Sequence, residues 1–247
     1  MRIINLHNDC RLGDNVFTIH FLNKYLDSDV LFNYYVHSQY INELKKHIIG
    51  ENIQIHPYHL VPSDSYNTWI GRDGFYYRKI SEYNFNLDLF YVDFFNLMSS
   101  NLELSPKFFS NTDLLFDNSN YEISTNKTYD YLIINSQPMS NQFNYQGNQF
   151  YYLCDLLTKL EKTFITTQKI KNYECTTDYG MSLIDIGNLS NYCENIIAVN
   201  TSPIIRTFTT QNINKINKRF VLDNELSYSY NERIYSFNSL SQIFDKL

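Results

Sequence analysis

Arg2-Ile3-Ile4-Asn5-Leu6-His7, followed by Asn8-Asp9-Cys10-Arg11-Leu12-Gly13-Asp14, reads as a short strand running into a polar loop. From Asn15 onward Val16, Ile19, Phe21, Leu22 and Leu26 recur at helical spacing, with Asp14 or Asn15 placed to cap the first exposed amides. Residues 30–36 are a continuous apolar and aromatic run of strand length. Ser38 then stands as a cap before Tyr40, Ile41, Leu44 and Ile48, a second helical set ended by Gly50. Residues 53–55 make a third short strand before His56-Pro57. Strand, helix, strand, helix, strand is the order of βαβ units and therefore of a parallel sheet.

Working outward, residues 63–106 hold the single Trp, Trp69, a turn signal at Gly71-Arg72-Asp73-Gly74, and an apolar run over 87–98 that predicts a helix. Residues 118–128 are rich in Asn and Ser and read as a linker, beyond which the alternation restarts. Strands are expected over 131–134, 163–167, 196–199 and 220–222, and helices over 150–160, 183–189, from Pro203 onward and over 239–247. The expectation is an α/β protein of two Rossmann-like domains facing a cleft, residues 1–125 and 126–247, with the terminal helix packing back on the first.

Length and composition allow one large domain or two small ones. The 247 residues are 43% hydrophobic and 19% charged, with 22 Tyr and 18 Phe, enough to bury a core in each half. A formal charge of −6 argues against a protein that lives on nucleic acid, since phosphate binding is driven by Lys and Arg that displace counterions. The densest basic stretch, residues 215–219 with Lys215, Lys218 and Arg219, reads as a solvated face beside a strand. Cys10, Cys154, Cys175 and Cys193 form no C-x-x-C pair and follow no secretory leader, so a reduced, cytoplasmic protein is expected. No apolar run approaches the ~20 residues of a membrane-spanning helix.

Several chemistries find no motif. Seven Gly are arranged neither as a dinucleotide fingerprint nor as a P-loop, and there is no H-E-x-x-H and no G-x-S-x-G. Six His are dispersed, and the pair His56 and His59 reads as ordinary loop histidines before it reads as a metal site. Asp27-Ser28-Asp29 has the form of a metal-holding Asp-x-Asp pair but precedes its strand, where acidic residues simply end a helix. No metal and no cofactor is expected.

Two loops carry more. Leu12-Gly13-Asp14-Asn15 lies at the C-terminal end of the first parallel strand, where ligands of open α/β sheets bind. Gly13 would let backbone approach a ligand, and Asp14 in that mouth suits a general base toward an acceptor hydroxyl; it would equally serve as a helix cap. Asn200-Thr201-Ser202-Pro203 follows the strand over 196–199 and opens a helix, with Pro203 at a first helical position. Bare amides and two hydroxyls there suit a diphosphate, and Arg206 one turn on would neutralise its charge; the alternative is an ordinary Ser/Thr helix start with an exposed Arg.

Taken in order, these pieces resemble the GT-B glycosyltransferases, and more narrowly the lipopolysaccharide heptosyltransferase-like family. Leu12-Gly13-Asp14 before a long apolar helix looks like that family's opening Gly-Asp loop, whose Asp is the proposed base. The strand and loop over 131–137, the helix from Phe150 and Phe164-Ile165-Thr166-Thr167 look like its donor-domain start. Ser182-Leu183-Ile184-Asp185, on through Ile196 to Pro203, is similar to its "helix, strand, then Asp-Ser-Gly-Pro-x-His" segment. Asn200, Ser202 and Ile205 stand where the family has Asp, Gly and His, and its usual Lys is not evident between Ser136 and Gln149.

The resemblance implies an inverting, metal-independent transferase that moves a sugar from a nucleotide-sugar donor to a glycan or other hydroxyl acceptor. Asp14 would be the catalytic base, with Gly13 and Asn15 on the acceptor side. Asn135, Ser136 and Gln137 would border the donor, Thr166, Thr167 and Gln168 would approach its base or sugar, and Asn200, Thr201, Ser202 and Arg206 would meet the diphosphate. Two alternatives stand beside it: a non-catalytic nucleotide-binding or assembly module on the same scaffold, and a transferase that glucosylates DNA bases, which the negative charge disfavours. Oligomeric state is open.

Overall fold

The computed structural model describes residues 1–26, 28–69, 80–84, 86–105, 108–119, 127–138, 145–223, 233–244 and 246–247. Asp27 of the Asp-x-Asp pair, the turn Gly71-Arg72-Asp73-Gly74 and the middle of the expected linker lie outside them. So does the middle of the loop before Phe150.

The chain forms two compact units, Met1–Leu114 and Leu115–Leu247, each built on a parallel sheet. The division falls ahead of the expected 125/126 because Phe116 already belongs to the second unit. Its amide donates to Phe208 O at 2.9 Å and its carbonyl accepts from the Thr210 amide at 3.0 Å. Asn118, expected in a linker, is likewise buried.

In the first unit β1 (Arg2–Asn8), β2 (Val30–Val36), β3 (Ile53–Pro57) and β4 (Tyr66–Asn67) lie in the order β3-β2-β1-β4. The chain first winds outward from β1 through β2 to β3, then crosses back to place β4 on the other side of β1. That reversal puts the switch point between β1 and β4, where an open parallel sheet offers its binding crevice. Ile4, Leu6, Phe32 and Tyr34 are buried on one face. α1 (Leu12–Leu22) packs there, its Asn15 bonded to Tyr34, and α3 (Leu87–Asn101) packs on α1 through a Phe17–Tyr91 stack at 3.8 Å and a Phe21–Phe95 edge contact at 5.4 Å. The opposite face carries Asn5, His7, Asn33 and His56, none of them buried. Asn33 Nδ2 donates to Asn5 Oδ1 at 3.1 Å, so these polar groups satisfy one another along the register. The link from β3 to β4 over 58–65 contains one 3-10 turn, Tyr58–Leu60, and no α-helix.

α2 is shorter than its apolar spacing predicts, Ile41–Lys45, and does not reach Gly50. A Cβ at Gly50 would lie 2.5 Å from Leu26 Cδ2, the movable end of a side chain.

In the second unit β5 (Tyr129–Ile134), β6 (Phe164–Thr166), β7 (Cys193–Val199), β8 (Lys218–Leu222) and β9 (Ile234–Phe237) lie in the order β6-β5-β7-β8-β9, all parallel. Here both faces are covered, as parallel sheets require. α5 (Leu183–Leu189) and the segment through Phe208, Ile213 and Ile216 cover Leu132, Ile134, Ile196 and Ala198. α4 (Gly147–Lys159) covers Tyr131, Ile133, Ile197 and Val199 with Phe150, Leu153 and Leu157. The expected terminal helix is a single turn, α7 (Ser241–Phe244), and Leu240 and Ile243 pack into this unit's own core.

α5 shows how local sequence sets an element. Ser182 caps it reciprocally with Asp185, the serine hydroxyl accepting from the Asp185 amide while the Asp185 carboxylate accepts from the Ser182 amide at 2.8 Å. Its Gly187 allows a close approach of backbone, since an added Cβ would sit 2.5 Å from the backbone oxygen of Arg206. Gly187→Ala is therefore expected to cost about 2 kcal/mol, because a backbone atom cannot swing aside. Denaturant midpoints of the two proteins check this, and an unchanged midpoint would show that the contact relaxes freely.

Candidate active site

At the first-unit mouth the chain leaves β1 at Asn8 and enters α1 at Leu12. Gly13 and Asp14 thus lie in the helix's first turn rather than in a loop. Neither Asp14 nor Asn15 acts as the cap: Arg11 holds that position, with no side-chain hydrogen bond. Asn15 instead holds the loop, its Nδ2 donating to Arg11 O at 2.8 Å and Cys10 O at 3.4 Å. Asn8 Oδ1 accepts from the Cys10 amide at 2.8 Å and Asn8 Nδ2 donates to Thr68 O at 3.2 Å. Asn8, Asn15, Thr18, Tyr34 and Thr68 are all wholly buried, a polar floor beneath the mouth.

Asp14 stands at the edge of that floor, and burial pushes its carboxyl up to about 6. A hydrogen bond from the Cys10 thiol and the charge of Arg11 pull it partway back. Burial, with the Asp14 carboxylate beside it, pushes the Cys10 thiol up to about 12, so the thiol remains a donor. Tyr91 of α3 and Tyr34 of β2 also face this carboxylate, and both phenols are raised, by burial first and by Asp14 after it. Spacing along the chain gave no hint of Cys10, Tyr34 or Tyr91 here, because they reach Asp14 from the loop, a neighbouring strand and a distant helix.

At the second-unit mouth the switch point lies between β5 and β7. Asn135, Ser136, Thr167 and Gln168 come together. Asn135 Oδ1 accepts from the Gln168 amide at 2.8 Å, its Nδ2 donates to Gln168 O at 3.1 Å, and Ser136 Oγ lies 3.4 Å from Thr167 Oγ1. Thr166 and Thr167 are buried, and Thr166 Oγ1 donates to Glu174 O at 3.2 Å. These threonines shape the mouth from beneath, while Gln137 and Gln168 are exposed on it. Asn200, Thr201 and Ser202 are partly buried at the end of β7. Asn200 Nδ2 donates to Asp223 Oδ2 at 2.5 Å, an acidic neighbour that its distance in sequence hid.

Two expectations at this mouth are corrected. The helix opened by Pro203 is one turn, α6 (Ser202–Ile205), with Thr201 at the cap and Pro203 one place inside, too short for the summed dipole of a long helix. Arg206 is not an exposed phosphate partner. It is 5% exposed, donates to Asn118 Oδ1 at 2.6 Å and lies over the Phe116 ring at 4.2 Å. The basic stretch is corrected in the same way: Lys215 and Lys218 are exposed, but Arg219 is fully buried. Among the described residues, no three His, Cys, Asp or Glu side chains cluster as metal ligands would, and no helix is long and apolar enough to cross a membrane.

No family model and no curated protein matches the sequence. Solved structures do. E. coli heptosyltransferase WaaC, with ADP-2-deoxy-2-fluoro heptose, is similar over 100% of this chain and 99% of its own, at a TM-score of 0.56 and 9% identity. A family 9 glycosyl transferase from Veillonella parvula is similar over 99% and 91%, at 0.55 and 11%. The iron-containing dodecameric glycosyltransferase TibC from enterotoxigenic E. coli is similar over 97% of this chain and 64% of its own, at 0.58 and 11%. The fold is that of the heptosyltransferase-like GT-B proteins. Within this heptosyltransferase-like fold, the strand ends that carry Asp14 and Asn200 are the ends at which open parallel sheets hold their ligands.

Proposed function

We propose that the chain is a glycosyltransferase that moves a sugar from a nucleotide-sugar donor to an acceptor hydroxyl, with inversion and without a metal, and that it works in the cytoplasm. Asp14 carries the reading. Its carboxyl sits at a switch point and titrates near 6, where a base is ionised at neutral pH yet basic enough to take a hydroxyl proton as that oxygen attacks the anomeric carbon. The donor would lie on the second unit along Asn135, Gln168, Asn200 and Thr201, its departing diphosphate met by backbone amides and hydroxyls. WaaC and TibC have been solved with ADP-linked heptoses, which favours an ADP-sugar as the first donor to try. Four free cysteines suit a reducing compartment.

A second reading draws on the donor side. Arg206 is turned inward and the hydroxyls of Thr166 and Thr167 are spent on internal bonds, which favours a nucleotide-binding module without turnover. Thermal shift with ADP-, UDP-, GDP- and CMP-sugars, followed by donor hydrolysis, separates the two. The transferase should gain about 2.7 kcal/mol of stability at a donor concentration 100 times its Kd and should release nucleotide. Stabilisation without release would establish the module, and no stabilisation by any nucleotide would sink both.

A further inference from the structure

The proposed base depends on where α1 begins, and the ordinary device for fixing a helix start is missing: Arg11 at the cap gives no side-chain hydrogen bond. Asn15 replaces it from inside the helix. Its amide nitrogen holds the carbonyls of Arg11 and Cys10 at 2.8 and 3.4 Å, while the Asn15 backbone amide also reaches Arg11 O at 3.2 Å. An Asn side chain has two ends, and only one of them is occupied by those carbonyls. The other, Oδ1, accepts the Tyr34 hydroxyl at 2.7 Å, and both residues are 0% exposed. The two carbonyls can only accept, so they keep the nitrogen end on the loop, and the Tyr34 hydroxyl, donating to the other end, holds the side chain in that place. With the amide turned over, two carbonyls would face an oxygen and the first turn would have to shift.

From this geometry we infer that Tyr34 is a positioning residue: through Asn15 it holds the Cys10–Arg11 backbone, and with it the carboxylate of Asp14, in place at the mouth. The inference rests on the reading of Asp14 as the base for its functional meaning, though not for its test. Groups facing Asp14 are Cys10 and Arg11 from the loop, Tyr34 from β2 and Tyr91 from α3. Loosening the loop lets water reach the carboxylate, and the burial that raises its titration is relieved.

The experiment is a carboxyl-carbon NMR titration of the full chain with labelled aspartate, Asp14 assigned by Asp14→Asn. Tyr34→Phe should move the Asp14 midpoint down by about half a pH unit or more. Tyr25→Phe is the control, because Tyr25 OH donates to Ser99 Oγ at 2.7 Å at 2% exposure elsewhere in the same unit. It should lower the melting temperature comparably and leave Asp14 where it was. An unmoved midpoint in Tyr34→Phe, or an equal movement in Tyr25→Phe, overturns the inference. If Tyr34→Phe does not fold, Asn15→Ser, which keeps a donor too short to span both carbonyls, should lower the midpoint in its place, and an unmoved midpoint there overturns the inference too. Donor turnover is read separately: loss in Asp14→Asn with no titration change in Tyr34→Phe fells the positioning role alone. Undiminished turnover in Asp14→Asn fells the base and leaves the positioning role standing.

Discussion

Asp14→Asn is expected to abolish sugar transfer and, at neutral pH, to make the protein more stable. The two effects share one cause. The Asp14 carboxyl rises from an ordinary 3.8 to about 6 because burial penalises its charged form. A group whose folded titration lies above its unfolded one contributes its full share below the unfolded value and loses it as pH rises through the folded value. Above pH 6, therefore, an ionised carboxylate is kept poorly solvated at a cost of about 3 kcal/mol. Asparagine carries no charge to desolvate, so the variant should gain roughly that amount at pH 8 and nothing below about pH 4. Turnover should fall by about 10²–10⁴, the usual worth of a positioned base, and wild-type activity should climb with pH through about 6. Melting curves at both pH values beside donor turnover check this. A variant that melts lower at pH 8 would show that Asp14 is not strained, and one that turns over at the wild-type rate would show that it is not catalytic.

The second large effect concerns Arg219, which lies 1% exposed in β8. Its guanidinium donates to Thr207 Oγ1 at 2.8 Å, Thr207 O at 2.9 Å and Asn212 Oδ1 at 2.8 Å, and lies 4.9 Å over the Phe208 ring. It thereby ties the segment after α6 to the sheet. Arg219→Met keeps much of the volume but leaves those acceptors buried without their donors, a loss of about 3 kcal/mol. For a chain of this size that is about 8 °C in Tm. Lys218→Met, one residue earlier on an exposed position, should change stability by less than about 0.5 kcal/mol. Equal effects from the two substitutions would refute the assignment of Arg219 as an internal tie.

That contrast also marks how far the sequence could be read. β2 was legible to the residue, because an unbroken apolar run of strand length admits little else, and α5 was legible from its apolar spacing, with a capping box at its start. The two-residue β4 and the edge strand β9 were not, since elements so short carry no period, and of the helix expected from Pro203 only the single-turn length was missed. At the mouths, Asp14 and Asn200 were legible from their place after a strand. Lys218 and Arg219 look alike on paper. Only Thr207 and Asn212, brought beside one of them by the fold, decide which is buried, and Arg206 was misjudged for the same reason. Tyr34 escaped notice because a tyrosine in an apolar run reads as bulk, and what matters is where its hydroxyl ends.

The polar side of the first sheet has a consequence for tolerance to change. In β1 parity sorts the positions: Ile4 and Leu6 are buried, while Ile3 is 57% exposed and Asn5 and His7 are only partly covered. Alternate residues of this strand can thus drift in chemistry while those between them are held fast.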